Sequence, residues 1–483
     1  MEIQFPELPL YRGWGKPLRV ESSIDGLELL SGKTPEGLNG TWYRVGPDRQ
    51  YPPMNGEDVF IDGEGMIHMI RFASGQASYR SRWVHTERFK RQAEAKRSLF
   101  GRYRNTYTND SSVAGVHMGT GNTNAIYHAG KLLVLKEDDL PYELDPDTLE
   151  TFRRYDYDGQ IGANRLSAHP KIDLVNNTLL TFSGHARGDG SEDVVFYEID
   201  GSGKVIDEIW FKGPYAASLH DFAVTENYVI FPFFPLITDV EALKKGGSFY
   251  QWHPDKETVI AVVKRGGSAE DVRFFRGSAM SAGHMMNAHE EGSKLHLDLC
   301  LYHGNCFPFF TTPDGVRTDP VPPVLTRLTV DMAQNGETFA LAPIGAISGE
   351  MPRTDDRWQG FAYKHGWLIT GRGPNGESNL GHVDLPTGEL TVWSPGEKAS
   401  IHEPQFVPRS DDSPEGDGWI LAIVNRLDEN RGELAVLDAL DIAKGPVATY
   451  ALPVRVRSTF HGTWVPGHVF ETKRYAMEMI SAA

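Results

Sequence analysis

Seven times along the chain an apolar-alternating run reaches a turn rich in Asp, Gly, Pro or Asn, and a second run of β-forming residues follows. The segments are "MIHMIRFASGQASYRSRWV" from Met66, "YELDPDTLETF" from Tyr142, "VFYEIDGSGKVIDEIW" from Val195 and "FYQWHPDKETVIAVVKR" from Phe249. "LTRLTVDMAQNGETFALAPI" from Leu325, "LGHVDLPTGELTVWS" from Leu380 and "LAVLDALDIAKGPVATYALP" from Leu434 complete the set. Alternation and turn chemistry make each a β-hairpin. Their starts are separated by 76, 53, 54, 76, 55 and 54 residues. A four-stranded propeller blade takes about 40–50 residues, so each interval holds one blade with room for an insertion. The spacing predicts an all-β fold, a seven-bladed β-propeller; a β-sandwich followed by a second β domain is the alternative. A closed ring also removes exposed sheet edges.

The two wide intervals hold "RFKRQAEAKRSLFGRYRNTYTND" (88–110) and "CFPFFTTPDGVRTDPVPPV" (306–324). These are predicted to form a loop and helix cap over one face, with a short helix over 88–100. No linker or low-complexity tract divides the chain, so one domain is expected over residues 1–483. The 50 glycines and 30 prolines suit many turns.

A formal charge of −17 disfavours nucleic acid and anionic lipid as partners. Cys300 and Cys306 are the two cysteines, which argues against a disulfide scaffold and for a reducing compartment. The most apolar short run, "YVIFPFFPLI" (228–237), is about half a bilayer span and carries two prolines. It reads as a core strand and turn, with no stable membrane insertion. The opening "MEIQFPELPLYRGWGKP" lacks a basic region followed by an apolar run, and a cytoplasmic location is expected.

In a propeller the innermost strands line one axis, so histidines far apart in sequence can converge. The candidates are isolated histidines on strands, one per blade. His169 in "RLSAHPKIDL", His220 in "AASLHDFAVTENYVIF", His284 in "SAGHMMNAHEEG" and His461 in "RSTFHGTWVP" fit, at separations of 51, 64 and 177 residues. Taken singly, each is better read as an ordinary structural histidine; only the set of four points to a metal. His289 lies five residues after His284; an odd offset on a regular strand puts the two on opposite faces, and spacing alone does not choose between them. Four neutral imidazoles suit iron, copper, nickel or zinc. Zinc in a structural role would close at four ligands, whereas six-coordinate iron keeps two positions for dioxygen, water or substrate. Ligand histidines usually donate their second N–H to a carboxylate or carbonyl. Glu137 in "LLVLKEDDL", Glu350 in "AISGEMPRTD" and Glu403 in "ASIHEPQFVP" are carboxylates in apolar strand contexts that suit this role.

At these residues the chain resembles the carotenoid cleavage oxygenase family, and more closely its stilbene-cleaving, lignostilbene dioxygenase branch. The resemblance runs through "LNGTWYRVGPD" (38–48), "FIDGEGMIHMIRF" (60–72), "NTNAIYHAGKLLVLKE" (122–137) and "ELDPDTLET" (143–151). It continues through "SAHPKID" (167–173), "LHDFAVTENYVIFP" (219–232), "HMMNAHEEG" (284–292), "HEPQF" (402–406) and "HGTWVP" (461–466). It implies a seven-bladed propeller with one Fe(II) per chain, held by His169, His220, His284 and His461, with Glu137, Glu350 and Glu403 behind them. It selects His284 over His289. The branch implies that Tyr103 and Lys136 hold the oxygen of a 4-hydroxyphenyl ring. Phe60 and Phe307 are candidate aromatic walls. Where relatives often read "FDG" this chain reads "FIDG", so Ile61 removes one aromatic from the expected pocket.

The activity so implied is dioxygen-dependent cleavage of the central C=C of a 4-hydroxystilbene to two aromatic aldehydes, without haem, flavin or external reductant. The partners are then a small aromatic molecule and O2, with a homodimer left open. Alternatives are cleavage of a phenylpropenoid side chain of the isoeugenol type, cleavage of an apocarotenoid, and a metal-free propeller serving as a protein-binding platform.

Overall fold

The computed structural model describes residues 3–56 and 59–470. Residues 1–2, 57–58 and 471–483 of the single domain expected from the sequence lie outside that range. Among the described residues, seven antiparallel sheets of four to six strands follow one another as blades of a propeller. The inner strands of blades two to six are Asn124–His128, Lys171–Asp173, Ala223–Val224, Ser281–Glu291 and Gly349–Thr354. Blade one is built on Gly40–Asp48 and blade seven on Gly418–Arg426.

Both chain ends close the ring. The C-terminal strand Gly462–Pro466 pairs antiparallel with Gly40–Asp48, setting Gly462 opposite Arg44. The N-terminal strand Leu29–Gly32 pairs with Pro446–Ala451 as the outer edge of blade seven. Joining opposite ends of the chain within two blades leaves no open seam in the ring.

The core consists of wedges between neighbouring blades. Trp42, Ile70, Phe72 and Tyr79 of blade one pack on Leu421, Leu434 and Tyr450 of blade seven. Leu180, Phe196 and Phe211 of blade three pack on Val229, Phe231 and Val263 of blade four. Comparable clusters fill the other five junctions. This explains the strand patterns. Middle strands are covered on both faces and read as continuous apolar runs, as in Tyr228–Phe233 and Thr258–Lys264. Outer strands such as Glu389–Trp393 carry charge and are partly exposed. The apolar run 228–237 is therefore a buried strand and turn, as its prolines indicated.

Six of the seven expected hairpins form, four as the outer pair of a blade and those from Met66 and Leu434 with an N-terminal strand added outside them. The one from Phe249 does not. Its first strand, Gln251–Trp252, pairs with Leu236–Ile237, while Thr258–Lys264 pairs with Tyr228–Phe233 and Arg273–Gly277. Residues 234–257 are an insertion, and a polar turn between two β-rich runs says nothing about whether those runs pair with each other.

That insertion belongs to the cap. Helix α1 (Glu87–Ala95) starts at Thr86, whose hydroxyl accepts from the Phe89 N–H, and stops at Lys96 in the left-handed region. It is shorter than the expected 88–100. Buried Arg88 and Gln92 on α1 bond Glu64 of blade one, and Arg88 and Arg49 pair with Asp62. A second short helix, α2 (Val240–Lys244), lies in the 234–257 insertion. The insertions meet in one apolar cluster of Tyr103, Leu236, Leu243, Phe249, Tyr250, Trp252 and Phe310, with Ile61 and Phe307 against it. Among the described residues no helix is long and apolar enough to cross a membrane.

Candidate metal centre

His169, His220, His284 and His461 converge, with one nitrogen from each lying within 4.8 Å of the others. The expectation of one histidine per inner strand needs correction. His284 lies within Ser281–Glu291, but His169, His220 and His461 occupy the loop residues just ahead of the inner strands of their blades. In strand form successive side chains alternate across the sheet, and none would point along the axis. A residue just before the strand, or at a bulge, can turn inward. His284 sits at such a bulge, where the pairing register shifts between Ala282 and Met285. His289 is not part of the cluster and packs on His296.

His169 is set by the Ser167 hydroxyl, which accepts its N–H, and by Asn124, which holds the Ala168 carbonyl. His461 donates its backbone N–H to Thr123 O and accepts from Val45 N. Gly462 beside it passes so close to blade one that a Cβ there would stand 1.9 Å from Tyr43 O, which only glycine permits.

Two of the three expected carboxylates bond an imidazole directly. His284 Nδ1 donates to Glu350 Oε2 at 2.6 Å, and His461 Nδ1 to Glu403 Oε1 at 2.7 Å. Gly283 makes room for Glu350, whose Oε1 would lie 2.5 Å from a Cβ there. Glu137 Oε1 stands 3.7 Å from His220 Nδ1, and among the described residues no carboxylate bonds His169. With Nδ1 engaged, Nε2 of His284 and His461 is the free donor atom. His284 Nε2 is buried with no hydrogen-bond partner among the described residues, and His169 and His220 bring their Nε2 atoms to 3.1 Å. Nitrogens about 2.1 Å from one ion at right angles would be about 3 Å apart. The orphaned nitrogen, the close pair and the all-imidazole donor set fit a divalent transition metal.

Burial, reinforced by the other histidines, holds His169 well below the usual imidazole range. Burial also brings His461 down to about 4 although Glu403 opposes it. For His284 burial is outweighed by Glu350, which holds its pKa above the usual value. Burial raises the Glu403 carboxyl, but His461 and Arg353 win and hold it at about 2.

A cavity of about 60 Å³ reaches His220, His284 and His461 beneath the cap. Tyr103 from the first insertion and Lys136 from blade two meet in its wall, Lys136 Nζ donating to Tyr103 Oη at 3.1 Å, both buried. Burial opposes the Lys136 ammonium, but Glu137, Tyr103 and Asp138 outweigh it and hold its pKa above the ordinary lysine value. Burial pushes the Tyr103 phenol up despite Lys136. At neutral pH the pair is therefore an ammonium beside a neutral phenol, and the Tyr103 hydroxyl proton is left to donate elsewhere. Phe60 and Phe307 line the same cavity. Phe307 stands edge-on to His220 at 5.9 Å, and Phe60, 45% exposed, lies between Phe309 and Phe460 at the mouth. Ile61 is an aliphatic part of the wall. A second cavity of about 550 Å³, lined by charged residues including Lys171, Asp221 and Arg353, touches His169, His284 and His461.

Several contributors went unnoticed in the sequence. Arg44 is fully buried on blade one, and its guanidinium donates to Thr459 Oγ1, to Glu403 O and to Phe460 O. Arg104 donates to Tyr250 Oη and stands 3.7 Å from Glu137. Asp221 follows His220. For Arg44 the available signal was a charged residue inside a strand with no polar alternation, "GTWYRVGPD".

The family model described as Retinal pigment epithelial membrane protein (RPE65) matches residues 15–466. The chain is 40% identical to an isoeugenol monooxygenase of Pseudomonas nitroreducens over 462 residues, 93% of this chain and 96% of that protein. It is also 40% identical to lignostilbene-α,β-dioxygenase isozyme III of Sphingomonas paucimobilis, over 95% of this chain and 97% of that one. The crystal structure of Pseudomonas brassicacearum lignostilbene dioxygenase superposes with a TM-score of 0.94 at 43% identity, covering 96% of this chain and all of that one. The match along nearly the whole chain, with the propeller and its axial histidines, sets aside a protein-binding platform: the chain belongs to the RPE65/carotenoid cleavage oxygenase family and is an oxygenase of the kind that cleaves carbon–carbon double bonds.

Proposed function

We propose that the chain is a non-haem Fe(II) oxygenase that cleaves the central double bond of a 4-hydroxystilbene with O2 to give two aromatic aldehydes. The observation that carries this reading is the Lys136–Tyr103 pair, buried in the same small cavity as three of the four histidines. Iron held by His169, His220, His284 and His461 would supply the binding and activation of dioxygen. Both oxygen atoms of O2 are accounted for in the two aldehydes, so no external reductant is required.

The chain's own part is to bind and polarise the phenol. A free phenol ionises near pH 10. The Lys136 ammonium and the Tyr103 hydroxyl, both aimed at the substrate oxygen, stabilise the phenolate through charge-assisted hydrogen bonds. Electron density then moves through the ring into the conjugated alkene and makes it more reactive toward an oxidant. Phe60, Phe307 and the cap hold the flat ring and keep water away. An apocarotenoid offers no phenol for this pair. A one-ring 4-hydroxyphenylpropenoid is the second reading, favoured by the narrow cavity and by the equal identity to an isoeugenol monooxygenase.

The test is metal analysis of anaerobically purified protein, followed by oxygen uptake and aldehyde formation with resveratrol, isoeugenol, an apocarotenal and a 4-methoxystilbene. The expected result is one iron per chain, turnover of a free phenol and little with the methoxy compound. Lys136→Met should lower kcat/KM on the phenol by about 10²–10⁴-fold with iron content unchanged. Turnover of the methoxy compound at the phenol's rate would remove the role given to Lys136.

A further inference from the structure

Three histidines of the cluster come from three consecutive blades, and two of them lie outside any strand ladder. Carboxylates orient His284 and His461, and backbone bonds to blades one and two hold His461. His169 has no carboxylate partner among the described residues, and the nearest one to His220 is 3.7 Å away. Loop backbone is softer than a paired strand, so something else must fix the distances among His169, His220 and His284.

Asp221 is placed to do this. It is buried beside His220, and both of its carboxylate oxygens are occupied. Oδ1 accepts from the Phe222 N–H at 2.8 Å and from Lys171 Nζ at 2.8 Å; Oδ2 accepts from the Met285 N–H at 2.8 Å. Lys171 begins the strand two residues after His169, and its ammonium also lies over the Phe222 ring at 5.7 Å. Met285 follows His284 at the bulge, where the register shifts on both sides of it. One carboxylate thus ties the segment after His169, the His220 loop and the His284 bulge together across three blades.

We propose that Asp221 is a positioning residue that sets the mutual distances of His169, His220 and His284 and thereby the affinity and geometry of the metal centre. The proposal rests on the metal-centre reading above. Asp221 hydrogen-bonds none of the four imidazoles; it acts through backbone and through Lys171. Asn in its place has one acceptor oxygen and cannot serve both the Met285 N–H and Lys171.

The experiment compares the parent, Asp221→Asn and Lys171→Met, each freed of metal and titrated with Co(II). Visible absorption reports ligand geometry, and thermal melting of the metal-free form reports the fold. Co(II) binding should weaken 10–100-fold in Asp221→Asn and by a smaller factor in Lys171→Met. The absorption bands should shift in both, and the loss of affinity should exceed what any fall in metal-free melting accounts for. Parent-like affinity and spectrum in both variants would overturn the proposal, as would a loss of affinity that merely tracks a lowered metal-free melting temperature. If Asp221→Asn yields no folded protein, Lys171→Met decides alone, unchanged binding there counting against the clamp. A parent that itself binds no Co(II) brings down the metal-centre reading and the clamp together, whereas a binding parent with unaltered variants removes the clamp only.

Discussion

Glu403 faces two ways at once, accepting from His461 Nδ1 while pairing through Oε2 with buried Arg44 at 3.4 Å and Arg353 at 3.9 Å. His461 and Arg353, with Arg44, keep the carboxylate ionised, and the ionised carboxylate fixes which nitrogen of His461 is free. Glu403→Gln keeps the shape and removes the charge. Metal affinity should fall about 10–100-fold, measured by competition with a chelator. Metal-free stability should fall by about 1–3 kcal/mol because Arg44 and Arg353 lose an anionic partner in a dry site, measured by urea unfolding. Glu403 was legible as a carboxylate in an apolar strand context. Arg44 was not, because every partner that explains it lies more than 350 residues further along the chain.

At the scale of elements, binding of the proposed two-ring phenol at the Lys136–Tyr103 pair would require the cap to move. Ligand sites usually enclose about 300–1,000 Å³, and the cavity under the cap holds about 60 Å³. A two-ring phenol enters only if the segments carrying Phe60, Tyr103 and Phe307 shift outward and close again. A non-cleavable hydroxystilbene analogue should therefore slow amide hydrogen exchange over about residues 99–109 and 305–311, with little change in the middle strands of the blades, read by mass spectrometry. Equal protection inside and outside the cap would contradict this. The two long insertions were visible as gaps in the repeat. The third, residues 234–257, was hidden because its short strands imitate a blade hairpin, and only their pairing with each other reveals it.

For the whole molecule, seven wedge-shaped cores arranged in a ring also bury imidazoles outside the four-histidine cluster. Burial holds His68 and His185 at about 3, and His128 and His382 at about 4, against an unfolded value of 6.5. These folded pKa values are depressed, so the unfolded chain binds more protons as pH drops below 6.5. Stability is full above about pH 6.5 and falls progressively until the folded groups titrate near 3–4. Each histidine contributes at most about 1.4 kcal/mol per pH unit across that window. The melting temperature of the metal-free protein should be level from pH 7 to 8 and decline steadily from 6.5 to 4.5; a flat profile would show these histidines to be solvated.

The chain by itself determined what is local. Turn residues and alternation set six of the seven hairpins, their spacing pointed to seven blades, and residue type marked which histidines and carboxylates suit a metal. The ring decided the rest. His169 and His461 meet because the strand Gly462–Pro466 crosses back onto blade one, and Lys136 meets Tyr103 because the cap folds down over blade two. Such meetings depend on closing loops of tens to hundreds of residues, and no short-range pattern of side chains records them; the hydrophobic wedges between blades fix them only when all seven are in place.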